Sequence, residues 1–336
     1  MSVVRIGLDI AKSVFQLHGV DARGKAVLTK KLSRSEVLTY FANLPPCLVG
    51  IEACAGSHYW ARELIKLGHD ARLMAAEFVI PYRMSGKNDA NDAVAICEAV
   101  GRPKMRFVAV KSEEAQAVLG VHRARALTVS ERTALVNQVR GLLAEFGIVT
   151  GTGIAQARRL LGEIGAGARQ LPALARETLG ELHDRLRDLD ARILAYDRKI
   201  TYLASESEPA RRLMKIEGVG PVTATAIVAS VGNARAFDSG RQFAAWLGLT
   251  PRQYSSGGKT VLGPITKRGD VTLRTLLIHG TRAVLRLTSE RTDRKSRWVE
   301  ALKARSCANV AAVALAAKNA HIIWAMLTRG TEYRAA

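Results

Sequence analysis

Cysteine is scarce and unpatterned in this chain. Its four cysteines, Cys47, Cys54, Cys97 and Cys307, show no C-x-x-C spacing, and the seven histidines form no pair at metal-ligand spacing. That argues against a structural zinc site and against a disulfide framework. No signal-peptide pattern opens the sequence. The most apolar C-terminal stretch, Cys307 to Leu327, is broken by Asn309, Lys318, Asn319 and His321. It reads as a buried helix of a soluble, cytoplasmic protein with no membrane partner. Acidic residues are also few, 30 Asp+Glu against 50 Lys+Arg, for a formal charge of +20 over 336 residues. The imbalance is uneven, because residues 205–336 hold 21 basic and 9 acidic side chains. Such an excess attracts polyphosphate and releases its counterions, so nucleic acid is the expected partner.

Against that background the remaining carboxylates stand out. Asp9 lies within Val3-Val4-Arg5-Ile6-Gly7-Leu8-Asp9-Ile10, Glu52 ends Cys47-Leu48-Val49-Gly50-Ile51-Glu52, and Asp89 and Asp92 form an Asp-x-x-Asp pair. A carboxylate at the end of an apolar strand is costly unless a cation neutralises it. The patterns predict strands over 3–10, 14–20 and 26–28, a helix after Ser33, a strand at 48–51, a helix over 57–67, a short strand at 71–74 and a helix over 91–100. This β-β-β-α-β-α-β-α order is that of an α/β RNase H/RuvC-like fold. In that sheet Asp9 and Glu52 lie side by side, with the Asp-x-x-Asp pair entering from the following helix. Hard oxygen donors on neighbouring elements suit Mg²⁺, with Mn²⁺ as the alternative. Taken singly, each acid also fits a helix cap or an ion pair. The opening strand is similar to that of actin-like ATPases and sugar kinases, but position 11 is alanine where those folds need glycine, and no second phosphate loop follows.

The organisation expected is 1–110 as the metal-binding domain, 111–204 as a helical, coiled-coil middle, and 205–336 as a mostly α C-terminal domain. In the middle region, Leu135, Val139, Leu142, Leu143 and Phe146 form one stripe. Leu179, Leu182, Leu186, Leu189, Ile193, Tyr196, Ile200 and Leu203 follow a 3-4 spacing, a heptad seam that predicts an intermolecular coiled coil, with an intramolecular helical hairpin as the alternative. The Gly-rich stretch 147–167 is expected to join the two helices. Beyond it, Ile216-Glu-Gly-Val-Gly220 fits the turn of a helix-hairpin-helix element, in which Gly218 and Gly220 permit a tight turn and the next helix start takes a phosphate. Tyr254-Ser255-Ser256-Gly257-Gly258-Lys259 places a serine where backbone can approach phosphate, with Lys259, Lys267, Arg268 and Arg274 as candidate charge partners. On residue chemistry alone a polar turn is the favoured reading.

The ordered set Asp9, Glu52, Asp89-x-x-Asp92, the heptad region, Ile216–Gly220, Gly248-Leu-Thr-Pro251, Ser256-Gly-Gly-Lys259 and Lys267-Arg-Gly-Asp270 resembles the DEDD insertion-sequence transposases, recombinases guided by a structured bridge RNA. The resemblance spans essentially the whole chain. It implies a RuvC-like N-terminal domain, a coiled-coil middle and a C-terminal transposase domain with a serine nucleophile. Asp9, Glu52, Asp89 and Asp92 correspond to the family's metal ligands and Ser256 to its serine, with the adjacent Ser255 the other candidate. It further implies a composite active centre acting on donor and target DNA, a guide RNA, a homo-oligomer (dimer or tetramer) and a nucleoid-associated protein in the cytoplasm.

Overall fold

Alternate apolar positions along β1 (Arg5–Ile10) place the fully buried Ile6 and Leu8 on one face of a mixed sheet. The strand pairs antiparallel with β2 (Val14–Val20), which pairs antiparallel with β3 (Ala26–Ser33). Helix α1 (Val37–Ala42) then carries the chain to β4 (Leu48–Glu52), parallel to β1 on its other side. Helix α2 (Ser57–Lys66) leads to β5 (Asp70–Met74), again parallel, and α3 (Ala76–Val79) and α4 (Asp89–Val100) lead to a short antiparallel β6 (Phe107–Val108). The resulting order is β3-β2-β1-β4-β5-β6. In this computed structural model, which describes residues 2–84, 86 and 88–333, these elements form a first unit, Met1–Ser112, and residues Glu113–Ala336 form a second.

The two faces of the sheet are built differently. On one, Leu8, Phe15, Leu17 and Ile51 meet Phe41, Trp60 and Leu64 from α1 and α2, with the Phe15 and Trp60 rings edge to face at 4.8 Å. On the other, Gly7 and Gly50, cross-strand partners in β1 and β4, let α4 come down onto bare backbone. A Cβ at Gly7 would lie 2.1 Å from the Ala93 carbonyl oxygen, and one at Gly50 would lie 2.7 Å from Val100 Cβ. Neither position has room for a side chain.

In the second unit, α5 (Glu113–Ala144) packs along α7 (Ala173–Glu206). The Gly-rich segment between them is more than a linker. It contains α6 (Ile154–Gly165), whose Ala157, Leu160, Leu161 and Ile164 are buried against both long helices. Phe146 falls beyond the end of α5 and is exposed. The heptad seam is covered within one chain: Leu179, Leu186 and Leu189 are buried in the cluster formed with α5 and α6, and Ile193 and Ile200 are buried as well. At these five positions the seam is covered within its own chain, as the intramolecular helical hairpin would have it, while Leu182, Tyr196 and Leu203 stay partly exposed. Ion pairs flank it, Arg125 with Asp197 at 2.6 Å, Arg132 with Asp190 at 3.0 Å, and Arg158 with Asp190.

The rest of the unit runs α8 (Glu208–Leu213), α9 (Pro221–Val231), α10 (Gly240–Trp246), a hairpin of β7 (Pro251–Ser256) and β8 (Lys259–Ile265), α11 (Val271–Leu285), α12 (Arg294–Arg305) and α13 (Ala308–Arg329). Helix α13 is long and apolar enough to cross a membrane by length and composition. Here Ala316, Ala320, Ile323 and Met326 pack in the unit's main core, and the buried Asn319 donates from Nδ2 to the Glu217 carbonyl at 3.1 Å.

Candidate active-site groups

The acidic residues meet at one edge of the first sheet because of strand parity. Asp9 follows Gly7 by two residues and Glu52 follows Gly50 by two, so both point to the face that α4 covers. Asp89 and Asp92 occupy the first turn of α4, behind an Asn88 cap whose side chain accepts from the Asn91 amide at 2.8 Å. Asn88, and neither Asp, therefore caps this helix, which sets aside the helix-cap alternative for these two acids. The close seat of α4 on Gly7 and Gly50 brings its N-terminus over the strand ends.

Electrostatics report the gathering. Burial, followed by the charges of Asp89, Asp92 and Glu52, pushes Asp9 from its ordinary 3.8 to about 6, against the lowering effect of a hydrogen bond from the Ile10 amide. Arg83 Nη1 lies 3.0 Å from Asp92 Oδ1 and satisfies part of the cluster. Among the described residues no three acidic, histidine or cysteine side chains are already arranged to hold one metal ion. Cys54 belongs to the same neighbourhood, since burial and then the charges of Glu52 and Asp9 raise its thiol pKa. Sequence reasoning missed Arg83, Cys54 and the two glycines. Cys54 is two residues from Glu52, and that spacing was the available signal.

The serine motif takes a different form. Gly257 and Gly258 both adopt left-handed backbone, φ 55° and 78°, giving the two-residue turn that matches strand twist. Ser256 pairs with Lys259 across this turn, and every residue of β7 is exposed. The two serines differ. Ser255 Oγ accepts from Gln253 Nε2 at 2.8 Å, whereas the Ser256 hydroxyl makes no hydrogen bond among the described residues.

The basic candidates divide as well. Lys259, Lys267 and Arg268 are exposed. Lys267 carries positive φ at 57° in a loop that docks on the end of α10. There a Cβ at Gly269 would fall 1.8 Å from the Trp246 carbonyl oxygen, and Asp270 caps α11 through the Leu273 amide. Arg274 is a correction to the sequence reading. It is buried, and its Nη1 donates to the carbonyls of Leu247 and Arg268 at 3.1 and 2.9 Å, so it braces this loop and presents no charge to a phosphate. Gly218 is left-handed, φ 86°, and its carbonyl oxygen would lie 1.8 Å from a Cβ at Gly280 of α11. It serves a close backbone crossing. Gly220 is extended and precedes α9, leaving that helix's opening amides outside its ladder.

Comparison with known proteins gives these groups their context. Residues 6–148 match a DEDD family model described as Transposase, and residues 210–296 match one described as Transposase IS116/IS110/IS902 family. A protein of Pseudomonas aeruginosa named "Probable family 20 transposase" is 54% identical over 336 residues, covering 99% of both chains. The "Transposase for insertion sequence element IS1111A" of Coxiella burnetii is 44% identical over 330 residues, covering 98% of this chain and 91% of that one. A "Putative transposase y4pF/y4sB" of Sinorhizobium fredii is 43% identical over 335 residues, covering 99% and 86%. With acids gathered at the edge of an RNase H-like sheet in its first unit and near-full-length likeness to such relatives, the chain belongs to the IS116/IS110/IS902 family of DEDD-type insertion-sequence transposases, enzymes that cleave and rejoin DNA.

Proposed function

We propose that Asp9, Glu52, Asp89 and Asp92 act with Ser256 in one strand-transfer reaction on donor and target DNA, with Mg²⁺ as cofactor and a structured RNA as guide. The observation that carries this reading is Asp9. A half-buried carboxylate crowded by three others has its pKa raised to about 6, and a divalent cation offsets that repulsion. The donor set fits such an ion, being all carboxylate oxygen on strand ends and a helix start. When bound there, Mg²⁺ or Mn²⁺ supplies positive charge to the oxygens of a reacting phosphate.

The protein's own groups then have separate tasks. Asp9 and Glu52 offer oxygens fixed by the sheet, while Asp89 and Asp92 offer oxygens fixed by α4, and Arg83 restrains Asp92 when no cation competes for it. Ser256 is favoured over Ser255 because its hydroxyl is not engaged. Its Oγ gives up its proton to solvent and attacks phosphorus, a phosphoserine bond forms, the bond to the 3′ oxygen breaks, and that oxygen takes a proton from solvent to leave as a 3′-hydroxyl. Attack by a 3′-hydroxyl on the phosphoserine reverses these changes and rejoins DNA. Lys259, opposite Ser256, with Lys267 and Arg268, supplies positive charge to phosphates. Base pairing of the RNA would select sequence while this basic surface reads backbone. We place the reaction at the nucleoid, in the cytoplasm, with the chain acting as a dimer or tetramer.

A metal-only nuclease is the competing reading. It is favoured by one observation: no histidine or carboxylate bonds to Ser256 among the described residues, so no general base is in place. Ser256→Ala decides between them. Loss of a protein–DNA adduct and of strand exchange is expected. Full cleavage by that variant would leave the acids as the whole catalytic apparatus. Sequencing RNA that co-purifies with the protein, then adding it back to a recombination assay, tests guidance. Recombination unaffected by ribonuclease would refute that part.

A further inference from the structure

The first unit contains a cleft of about 560 Å³ that none of the assigned groups uses. Its walls come from three places along one sheet edge. Lys12 and Ser13 lie between β1 and β2, Ser33 ends β3 with Arg34 following it, and Tyr59 and Trp60 lie on the first turn of α2. The Arg34 amide donates to the Ser13 carbonyl at 2.9 Å and ties two of these segments together.

Each wall has recognisable chemistry. The Arg34 guanidinium lies over Trp60, 5.0 Å from the ring centroid, and 5.9 Å from that of Phe15. Stacking on aromatic rings fixes its plane while leaving its N–H groups for an anion. Among the described residues neither Lys12 nor Arg34 is in an ion pair. Glu36, two residues after Arg34, is occupied: it accepts from the Ser33 hydroxyl at 2.6 Å and the Ser33 amide at 2.8 Å. Tyr59 is 41% exposed and packs edge to face on the buried Trp60 at 5.2 Å, so its ring is both held and available. Two uncommitted cations beside a braced, exposed aromatic ring match a phosphodiester next to a base.

Placement gives the cleft a use. Lys12 follows Asp9 by three residues, at most about 11 Å along the chain, and α2 begins five residues after Glu52. The carboxylates face α4 while the cleft opens on the α1 and α2 side, so the two share an edge of the sheet and differ in face. We propose that this cleft binds single-stranded DNA next to the phosphate being processed, with Lys12 and Arg34 on the backbone and a base against Tyr59. This rests on reading the acids as the DNA-cleaving groups.

The test uses the full-length protein in EDTA with a short single-stranded oligodeoxynucleotide carrying a photoreactive thymine analogue. After irradiation, crosslinked peptides are mapped by mass spectrometry. The expected result is an adduct on the α2 peptide at Tyr59 that falls roughly tenfold in Lys12→Glu, while adducts within residues 205–336 keep their yield and the melting temperature is unchanged. An α2 adduct equally strong in Lys12→Glu, or none in the wild type, overturns the proposal. Adducts formed with the matching RNA and not with DNA overturn its assignment to DNA. Asp9→Asn separates the two readings: retention of the adduct with loss of cleavage supports both. An adduct with cleavage intact upholds the cleft and removes the role given to the acids.

Discussion

Asp9→Asn should stabilise the metal-free protein while removing its activity. Ionising Asp9 in the folded state works against burial and three neighbouring negative charges, and asparagine keeps an oxygen to accept the Ile10 amide without bearing charge. The rise from 3.8 to about 6 sets a ceiling near 3 kcal/mol. Asp9 is half open to solvent, so screening lowers the expected gain to about 1 kcal/mol. For a unit the size of Met1–Ser112, that is a melting-point rise of about 5 °C. The sign with pH follows from the direction of the shift. A carboxyl whose folded pKa lies above its unfolded value costs nothing while both states are protonated. It destabilises progressively as pH rises from 3.8 to about 6, and the cost is then constant. Calorimetry in chelator should therefore show the variant more stable at pH 8, with the gap closing at pH 4. Adding Mg²⁺ should raise the wild type more than the variant. A variant no more stable than the wild type at pH 8, or an equal gap at both pH values, would refute the argument.

Three further outcomes are expected. Gly7→Ala must lift α4 off the sheet, costing about 1–3 kcal/mol, and chelator-free cleavage should fall further than stability does because Asp89 and Asp92 move with the helix; a normal cleavage rate would show that α4 need not sit so close. Leu186→Ala should cost about 2–5 kcal/mol without altering the mass measured by light scattering, since Leu186 is covered within its own chain; a change in oligomer size would restore the intermolecular seam. Arg274→Met should destabilise by about 1–3 kcal/mol by stranding two carbonyls, with nucleic-acid affinity of the folded fraction unchanged; a lower salt slope of binding would mean that Arg274 meets phosphate after all.

Much of the first unit was legible because period-2 spacing of apolar side chains and helix starts agree with one another. Ile6 and Leu8 mark β1, Val49 and Ile51 mark β4, and those two strands pair in parallel as the element order implies. What the pattern did not show was how near α4 sits, because a glycine in a strand leaves no apolar signature of the helix it admits. The second unit was harder for related reasons. The 3-4 spacing on α7 identifies an apolar seam but carries no label for the chain that covers it. The stripe Ala157, Leu160, Leu161, Ile164 was present in the sequence, yet the surrounding glycines suggested a linker. Arg274 looks like its basic neighbours, and only the two carbonyls it meets distinguish it.

The β7–β8 hairpin has one more consequence. A two-stranded ribbon with exposed faces has little apolar burial to hold it and is marginal without a partner. Tyr254, Val261 and Leu262 all remain in solvent, so its amides should exchange with deuterium far sooner than those of α9 or α13. In the reaction proposed for Ser256, such a ribbon would hold the hydroxyl in place only once a bound partner covers its faces.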